Sequence, residues 1–187
     1  MRRGTLILIV GPSGAGKDRI IAAARERFAG DPRLVFARRL ITRPADENER
    51  HLAVTDSEFA ELHRAGDLML RWHAHNVDYG LSMSLAGALE HGHHVIANVS
   101  RTIIVEARRR FPPIAVVEIT ASPDKLAARL AARGRESFSE IDSRLTRTGA
   151  LSPYDADFLV DNNGALATAL DRFTAILNEI LGQTAGP

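Results

Sequence analysis

The chain has 187 residues, of which 45% are hydrophobic and 25% are charged, and its formal net charge is +1. Those values are typical of a globular protein of one domain, and they do not support binding to nucleic acid or to an anionic membrane surface. Because the chain has no cysteine and no apolar run of membrane-spanning length, we exclude disulfides, thiolate metal sites and transmembrane helices, and we expect a cytoplasmic protein.

Short β-rich runs alternate with amphipathic segments along the whole chain. In the first amphipathic segment, Ile20, Ile21, Ala24 and Phe28 recur at helical spacing. This alternation predicts a parallel sheet with helices on both faces, and therefore an α/β fold of three layers. Three of the strands are continuous apolar runs, as expected of strands that are buried on both faces. The five predicted strands are Leu6–Val10, Leu34–Ala37, His94–Val99, Ile114–Thr120 and Phe158–Asp161.

The segment GPSGAGKD at residues 11–18 follows the pattern GxxxxGK of a phosphate-binding loop and departs from it only at the final Ser/Thr. It lies between a predicted buried strand and a predicted helix, which is the context that the motif requires. The glycines let backbone N–H groups surround an oxyanion, and the lysine reaches the β- and γ-phosphates. We therefore predict that Lys17 is catalytic and that ATP binds to Gly11, Pro12, Ser13, Gly14, Ala15, Gly16, Lys17 and Asp18.

Asp18 stands where the motif has a hydroxyl group that coordinates Mg²⁺ between the β- and γ-phosphates. A carboxylate is a hard oxygen ligand, so Asp18 is a candidate ligand of Mg²⁺, either directly or through water. The alternative is that Asp18 only caps the following helix, whose dipole favours a negative charge there. The predicted strand His94–Val99 offers no acidic residue as a second anchor for the metal ion.

Further segments follow the phosphate loop in an order that resembles the guanylate kinase superfamily. The resemblance covers most of the chain and implies a P-loop kinase fold with a parallel five-stranded sheet flanked by helices. It also implies a single domain with an acceptor-binding region near residues 36–92 and a lid near residues 125–149. The segments are RRLITRP at 38–44, RWHAHNVDYG at 71–80, AARLAARGRESFSEIDSRL at 127–145 and the ending Asp157–Asn163.

The chain departs from guanylate kinases at the positions where those enzymes read the base. Arg71 stands in place of a glutamate, Asn98 in place of an aspartate and Arg39 in place of a serine. His51 replaces a tyrosine that helps to hold the acceptor phosphate, and a second phosphate-binding arginine has no evident counterpart after the TRP segment. Because carboxylates that accept hydrogen bonds from guanine are missing, we expect the preference for guanine to be lost.

Over nearly its whole length the chain is similar to the family of ribose 1,5-bisphosphate phosphokinases of phosphonate degradation. This resemblance implies transfer of the γ-phosphoryl group of ATP, with Mg²⁺, to the 1-phosphate of ribose 1,5-bisphosphate, giving 5-phosphoribosyl 1-diphosphate and ADP. The expected partners are these small molecules, and a monomer or homodimer is expected. The similar segments are GPSGAGKD, RRLITRPA, LRWHAHNVDYGL, VIANVSR and RLAARGRES.

The lid motif assigns ATP binding to Arg133 and Arg135, and catalytic roles to Arg133 and Arg144. Arginine suits this task because its guanidinium group binds phosphate oxygens in a bidentate way and offsets the repulsion between two polyanions. A solvated basic face is the better interpretation for Arg129 and Arg147. Such a lid would close over the transferring group.

The acceptor requires a second set of residues, because a sugar with two phosphates needs one of them anchored and the other presented to ATP. We predict that Arg43 and Tyr79 present the reacting 1-phosphate. We then expect Arg39, Arg71 or Arg101 to bind the 5-phosphate. The remaining candidates for contact with the acceptor are Asn98 and His75.

Two other functions stay open at this stage. One is a guanylate or other nucleoside monophosphate kinase with relaxed base specificity. The other, from a different class, is a non-catalytic interaction module that resembles guanylate kinase. Such modules typically lose the phosphate loop, whereas Lys17 and all three loop glycines are present here.

Overall fold

The computed structural model describes residues 2–44, 50–74, 76–132 and 155–183. Its helices and strands alternate along the chain as the sequence pattern predicts. A 3₁₀ turn at Arg101–Ile103 precedes the fourth helix. In chain order the elements are β1 Leu6–Val10, α1 Lys17–Arg27, β2 Leu34–Phe36, β3 Leu40–Ile41, β4 Leu52–Ala53, α2 Asp56–Ala65, β5 Leu68–Ala74, β6 Val77–Ser82, α3 Ser84–Glu90, β7 His94–Asn98, α4 Ile104–Arg110, β8 Ile114–Thr120, α5 Pro123–Ala132, β9 Phe158–Asp161 and α6 Leu166–Gln183.

The central sheet has five strands in the order β2-β7-β1-β8-β9, and every adjacent pair is parallel. The predicted strands are confirmed, although β2 and β7 each end one residue earlier than predicted. All five residues of β1 are fully buried because this strand lies in the middle of the sheet with elements packed on both faces. The carboxyl ends of β7, β1 and β8 therefore lie side by side at one edge of the sheet.

Two apolar clusters cover the two faces of the central sheet. On one face Ile20 and Ala24 of α1 pack with Phe173 and Ile176 of α6 against alternate strand residues such as Ile7. On the other face α3, α4 and the second sheet pack against the remaining strand residues, among them Leu6, Leu8 and Val10. The molecule thus has the three layers that the sequence predicts.

The second sheet lies within the predicted acceptor-binding region and has four strands in the order β4-β3-β6-β5. Its β5 and β6 form an antiparallel pair in which Trp72 stands opposite Tyr79. The two rings stack with their centroids 5.3 Å apart and their planes 5° from parallel. Helix α2 leads into β5, and it begins with a complete capping box between Thr55 and Glu58. In the part of the chain that the structure describes, no helix is long and apolar enough to span a membrane.

Candidate active site

The phosphate loop joins β1 to α1, and Gly11 and Gly16 are two positions at which its backbone requires glycine. Gly11 has a φ of 141°, and a Cβ there would lie 2.1 Å from the carbonyl oxygen of Ile119. Gly16 has a φ of 91°, and a Cβ there would lie 2.4 Å from Nδ2 of Asn162. The loop therefore packs closely against the ends of β8 and β9.

Lys17 is the first residue of α1, and its side chain turns back onto the loop. Its Nζ donates hydrogen bonds to the carbonyl oxygens of Gly11 at 2.8 Å and Pro12 at 2.9 Å. The ammonium group is thus held beside the loop backbone, where the motif requires a cation for the phosphates of a nucleotide.

Asp18 brings together three segments that are distant in the sequence. Its Oδ1 accepts a hydrogen bond from Nδ2 of Asn98 at 2.7 Å and contacts a guanidinium nitrogen of Arg39 at 3.5 Å. These partners come from β7 and from the segment before β3. In the described residues the carboxylate bonds to these side chains rather than to backbone N–H groups of α1, although Asp18 does lie in the first turn of α1, where the helix dipole favours a negative charge.

Arg39 links the phosphate loop to the second sheet. Its guanidinium carbon lies 5.7 Å from the centre of the Tyr79 ring, which itself stacks on Trp72. Three candidates from the sequence, Arg39, Tyr79 and Asn98, therefore lie in one continuous network that begins at Asp18. Arg43 follows β3, and its carbonyl oxygen is 3.2 Å from Nε2 of His51.

Arg71 lies on the opposite face of the second sheet from Tyr79. It stands across from Gly80, while its neighbour Trp72 stands across from Tyr79, and successive strand residues point to opposite faces. Its exposed side chain lines a cavity of about 530 Å³ that it shares with Arg110 of α4. The structure therefore does not bring Arg71 together with the network at Asp18.

Arg101 forms an ion pair that the sequence analysis did not foresee. Its Nη2 lies 3.0 Å from Oε1 of Glu118 on β8, and the two side chains are only 9% and 19% exposed. The sequence offered one signal for Glu118, namely the single charged residue of a predicted strand that is mostly apolar. That residue is a carboxylate on β8, whereas a second acidic ligand for the metal ion was expected only on the strand that corresponds to β7.

Asn162, at the end of β9, and Arg129 of α5 support the phosphate loop through hydrogen bonds to its backbone. Nδ2 of Asn162, which is 4% exposed, donates a hydrogen bond to the carbonyl oxygen of Ala15 at 2.7 Å. Arg129 of α5 donates to the carbonyl oxygens of Gly14 at 3.3 Å and Asn162 at 2.9 Å. The expectation that Arg129 belongs to a solvated face is therefore wrong, because its side chain is partly buried against the loop.

Several predicted residues lie outside the described part of the chain. They are His75 and the lid residues Arg133, Arg135, Arg144 and Arg147. Within the described ranges, no group of three or more His, Cys, Asp or Glu side chains could hold a metal ion. The carboxylate of Asp18 beside the loop fits a magnesium ion that arrives with the nucleotide, because Mg²⁺ is commonly bound by one or two carboxylates together with phosphates and water.

Comparison with known proteins agrees with this architecture. No protein-family model matches the chain. The crystal structure of guanylate kinase from Anaplasma phagocytophilum superposes with a TM-score of 0.67 at 16% identity, covering 96% of this chain and 87% of that one. The fold is therefore that of the guanylate kinases, and it carries the phosphate loop between β1 and α1.

Sequence relatives narrow the class further. The chain is 48% identical to ribose 1,5-bisphosphate phosphokinase PhnN of Acidiphilium cryptum, over 94% of this chain and 93% of the relative. The PhnN protein of Methylobacterium radiotolerans is 44% identical over 93% of this chain and 97% of its own. A bifunctional ribose 1,5-bisphosphokinase-thymidine phosphorylase of Cupriavidus necator is 46% identical, but the match spans only 29% of its length. The chain belongs to the ribose 1,5-bisphosphate phosphokinase PhnN family.

Proposed function

We propose that this protein transfers the γ-phosphoryl group of ATP to the 1-phosphate of ribose 1,5-bisphosphate, giving 5-phosphoribosyl 1-diphosphate and ADP. The observation that carries the proposal is the network at the phosphate loop. Asn98 and Arg39 contact Asp18, and they occupy sequence positions at which guanylate kinases have groups that read the base. The phosphate loop keeps its three glycines and its lysine. We further propose that the reaction takes place in the cytoplasm, as a step of phosphonate degradation.

The chemistry needs no general base, because the attacking oxygen of a phosphate acceptor is already ionised. Catalysis then consists of holding the two substrates in line and neutralising their charge. Lys17 exchanges the carbonyl groups of Gly11 and Pro12 for phosphate oxygens of ATP. Asp18 is the proposed residue to hold Mg²⁺, which would neutralise the charge that develops on the phosphates during transfer.

The acceptor enters between the phosphate loop and the second sheet. Arg43 and Tyr79 are the proposed contacts of the reacting 1-phosphate, with Asn98 and His75 beside them. Arg39 and Arg101 are the better anchors for the 5-phosphate, since Arg71 lies across the second sheet from Tyr79. Arg39, Arg43, His75 and Tyr79 lie within the proposed acceptor-binding region at residues 36–92, and Asn98 and Arg101 follow it in the chain.

The lid completes the proposed catalytic assembly. Arg133, Arg135 and Arg144 would close over the transferring group, within a lid near residues 125–149. Three arginines there would offset the negative charge that accumulates when two polyanions meet, and each can bind phosphate oxygens through two N–H groups. We propose that one chain provides the whole site, as a monomer or in each half of a homodimer.

A comparison of three acceptors tests the proposed function. ADP release is measured with ribose 1,5-bisphosphate, ribose 1-phosphate and GMP at equal concentration. We expect ribose 1,5-bisphosphate to be used best, and ribose 1-phosphate to show both a lower kcat and a higher KM because the binding energy of the 5-phosphate positions the acceptor. Preferential use of GMP would instead establish a nucleotide kinase.

A further inference from the structure

The ion pair between Arg101 and Glu118 spans the first strand at the start of the phosphate loop. Strands β7 and β8 lie on either side of β1, and Arg101 follows β7 by three residues. Glu118 stands in register with Val10, the residue before Gly11. A contact between these two side chains therefore crosses the end of β1, next to the loop that binds the nucleotide.

The pair faces the side of the central sheet from which the acceptor enters. Glu118 lies on the same face of β8 as Val116, because the two residues are separated by one position on the strand. Val116 and Val10 belong to the apolar cluster that also contains Trp72 and Tyr79. Glu118 thus lies between the phosphate loop and the second sheet, on the side of the stacked rings.

Stability gives no reason for an acidic residue at this position. Burying an ion pair removes both charges from water, and well-packed apolar side chains of similar volume often stabilise a protein as well or better. The neighbouring strand residues on this face, Val116 of β8 and Leu8 and Val10 of β1, are apolar. An apolar residue at 118 would continue that pattern, so the carboxylate calls for a functional reason.

The second oxygen of Glu118 supplies that reason. Oε1 accepts the hydrogen bond from Arg101, whereas Oε2 has no hydrogen-bond partner among the residues that the structure describes and is not fully buried. A carboxylate has about four acceptor positions and no donor. It can therefore take an O–H group of a ligand at Oε2 while it still holds the guanidinium group at Oε1.

We propose that Glu118 is a specificity-determining residue for the acceptor, in which Oε1 orients Arg101 toward an acceptor phosphate and Oε2 accepts a hydrogen bond from a hydroxyl group of the acceptor sugar. This inference rests on the proposed function. A sugar bisphosphate offers both groups that the pair can recognise, phosphate oxygens for the guanidinium group and hydroxyl groups for the carboxylate. A site that hydrogen-bonds a hydroxyl group discriminates strongly against an analogue that lacks it.

Deoxy analogues of the acceptor test the assignment. Steady-state kinetics are measured with ribose 1,5-bisphosphate and with its 2-deoxy and 3-deoxy analogues, for the wild type, Glu118→Gln and Glu118→Ala. We expect the wild type to disfavour at least one analogue by more than tenfold in kcat/KM. Glu118→Ala should reduce this preference to about threefold or less, and Glu118→Gln should retain part of it, because an amide oxygen still accepts a hydrogen bond.

A matched control removes the same type of ion pair elsewhere. Glu106 pairs with Arg110 on the exposed side of α4, so Glu106→Ala should keep the preference of the wild type among the three acceptors. Circular dichroism of each variant establishes that it is folded. If Glu118→Ala misfolds, the isosteric Glu118→Gln still decides the point through its KM for ribose 1,5-bisphosphate, which should rise severalfold.

The outcomes separate this inference from the function on which it rests. If the wild type uses ribose 1,5-bisphosphate but the Glu118 variants keep its preference among the acceptors, only the inference fails. If the Glu118 variants instead raise the Mg²⁺ concentration needed for ATP binding in the absence of acceptor, Oε2 binds water of a metal ion and the sugar assignment is overturned. If the wild type does not use ribose 1,5-bisphosphate, the proposed function fails and the inference falls with it.

Discussion

Lys17 lies against the phosphate loop in the free protein. Its two hydrogen bonds to the carbonyl groups of Gly11 and Pro12 hold the ammonium group at the loop. Phosphate oxygens are charged and therefore stronger acceptors than carbonyl groups. If ATP binds here as proposed, the exchange of these carbonyl acceptors for phosphate oxygens is therefore favourable.

We expect Lys17→Ala to lower kcat by roughly 10²- to 10³-fold, the usual effect of removing one preorganised donor from a transition state. ADP release at saturating substrate measures this effect, and circular dichroism reports whether the variant is folded. Lys125→Ala is the matched control, because Lys125 contacts the carbonyl group of Asn163 rather than the loop. Near-normal turnover in a folded Lys17→Ala variant would contradict the assignment of the phosphate loop.

Asp18 allows a prediction about the metal ion. If its carboxylate anchors Mg²⁺, Asp18→Ala should raise the Mg²⁺ concentration for half-maximal activity several-fold, and Asp18→Ser should partly restore it because a hydroxyl group is the usual ligand there. A Mg²⁺ titration of the rate measures both effects. Asp56→Ala, in the first turn of α2, is the control. An unchanged Mg²⁺ dependence in Asp18→Ala would show that Asp18 only organises Asn98 and Arg39.

At the level of elements, the phosphate loop depends on two segments that follow it by more than a hundred residues. Helix α5 supplies Arg129, and the end of β9 supplies Asn162, whose side chain bonds to the loop carbonyl of Ala15. A loop that must present its N–H groups inward has carbonyl groups that point outward, and these two residues provide the donors for those of Gly14 and Ala15. The loop is therefore shaped from outside as well as by its own glycines.

Removal of the hydrogen bond from Asn162 to the loop should lower both the stability of the fold and the affinity for nucleotide. Asn162→Ala leaves the buried carbonyl group of Ala15 without its donor, which we expect to cost about 1–3 kcal/mol of unfolding free energy. The affinity for ATP should fall as well, because the loop loses its fixed shape. Urea unfolding and an ATP titration measure the two effects. An Asn162→Ala variant with wild-type ATP affinity would show that the glycines alone shape the loop.

At the level of the whole molecule, the central sheet has the phosphate loop at one edge and the amino ends of its strands at the opposite edge. All strands of the central sheet are parallel, so their carboxyl ends gather at the phosphate loop and their amino ends lie at the opposite edge. His94 begins β7 at that opposite edge and is 2% exposed. Its Nδ1 accepts a hydrogen bond from the backbone N–H of Thr5 at 3.2 Å.

His94 predicts how stability depends on pH. Burial, and to a lesser extent the nearby Arg33, lowers the pKa of His94 below its ordinary value of about 6.5, although Asp31 opposes this shift. Below about pH 6.5 the unfolded chain takes up a proton at this ring that the folded protein does not. The free energy of unfolding should therefore fall as the pH is lowered from 7.5 toward 5, by at most about 1.4 kcal/mol per pH unit from this group.

Urea unfolding at several pH values, compared between the wild type and His94→Asn, measures this contribution. Asparagine keeps an acceptor for the N–H of Thr5 but does not titrate, so the variant should show a shallower loss of stability on acidification. The exposed His63, changed to asparagine, is the control and should follow the wild type. If the stability of wild type and His94→Asn depended equally on pH, protonation of His94 would not lower the free energy of unfolding.

The sequence by itself determined the features that depend on local spacing. Apolar runs predict the five strands of the central sheet, and helical periodicity predicts the helices between them. The segment GPSGAGKD identifies the phosphate loop because all the residues that define the motif lie within eight consecutive positions. The capping box at Thr55 and Glu58 and the end of α2 at Gly66 follow from the same short-range rules. The ordered motifs were enough to indicate the family.

Only the tertiary structure decided which side chains meet. Asp18 and Asn98 are 80 residues apart, and their contact exists because β7 lies beside β1. Glu118 reaches Arg101 for the same reason, since both flank the strand that ends in the phosphate loop. Pairing between distant strands leaves no periodic mark in the chain, so neither the Glu118 pair nor the support from Arg129 and Asn162 could be read from spacing, and strand order had to bring these groups together.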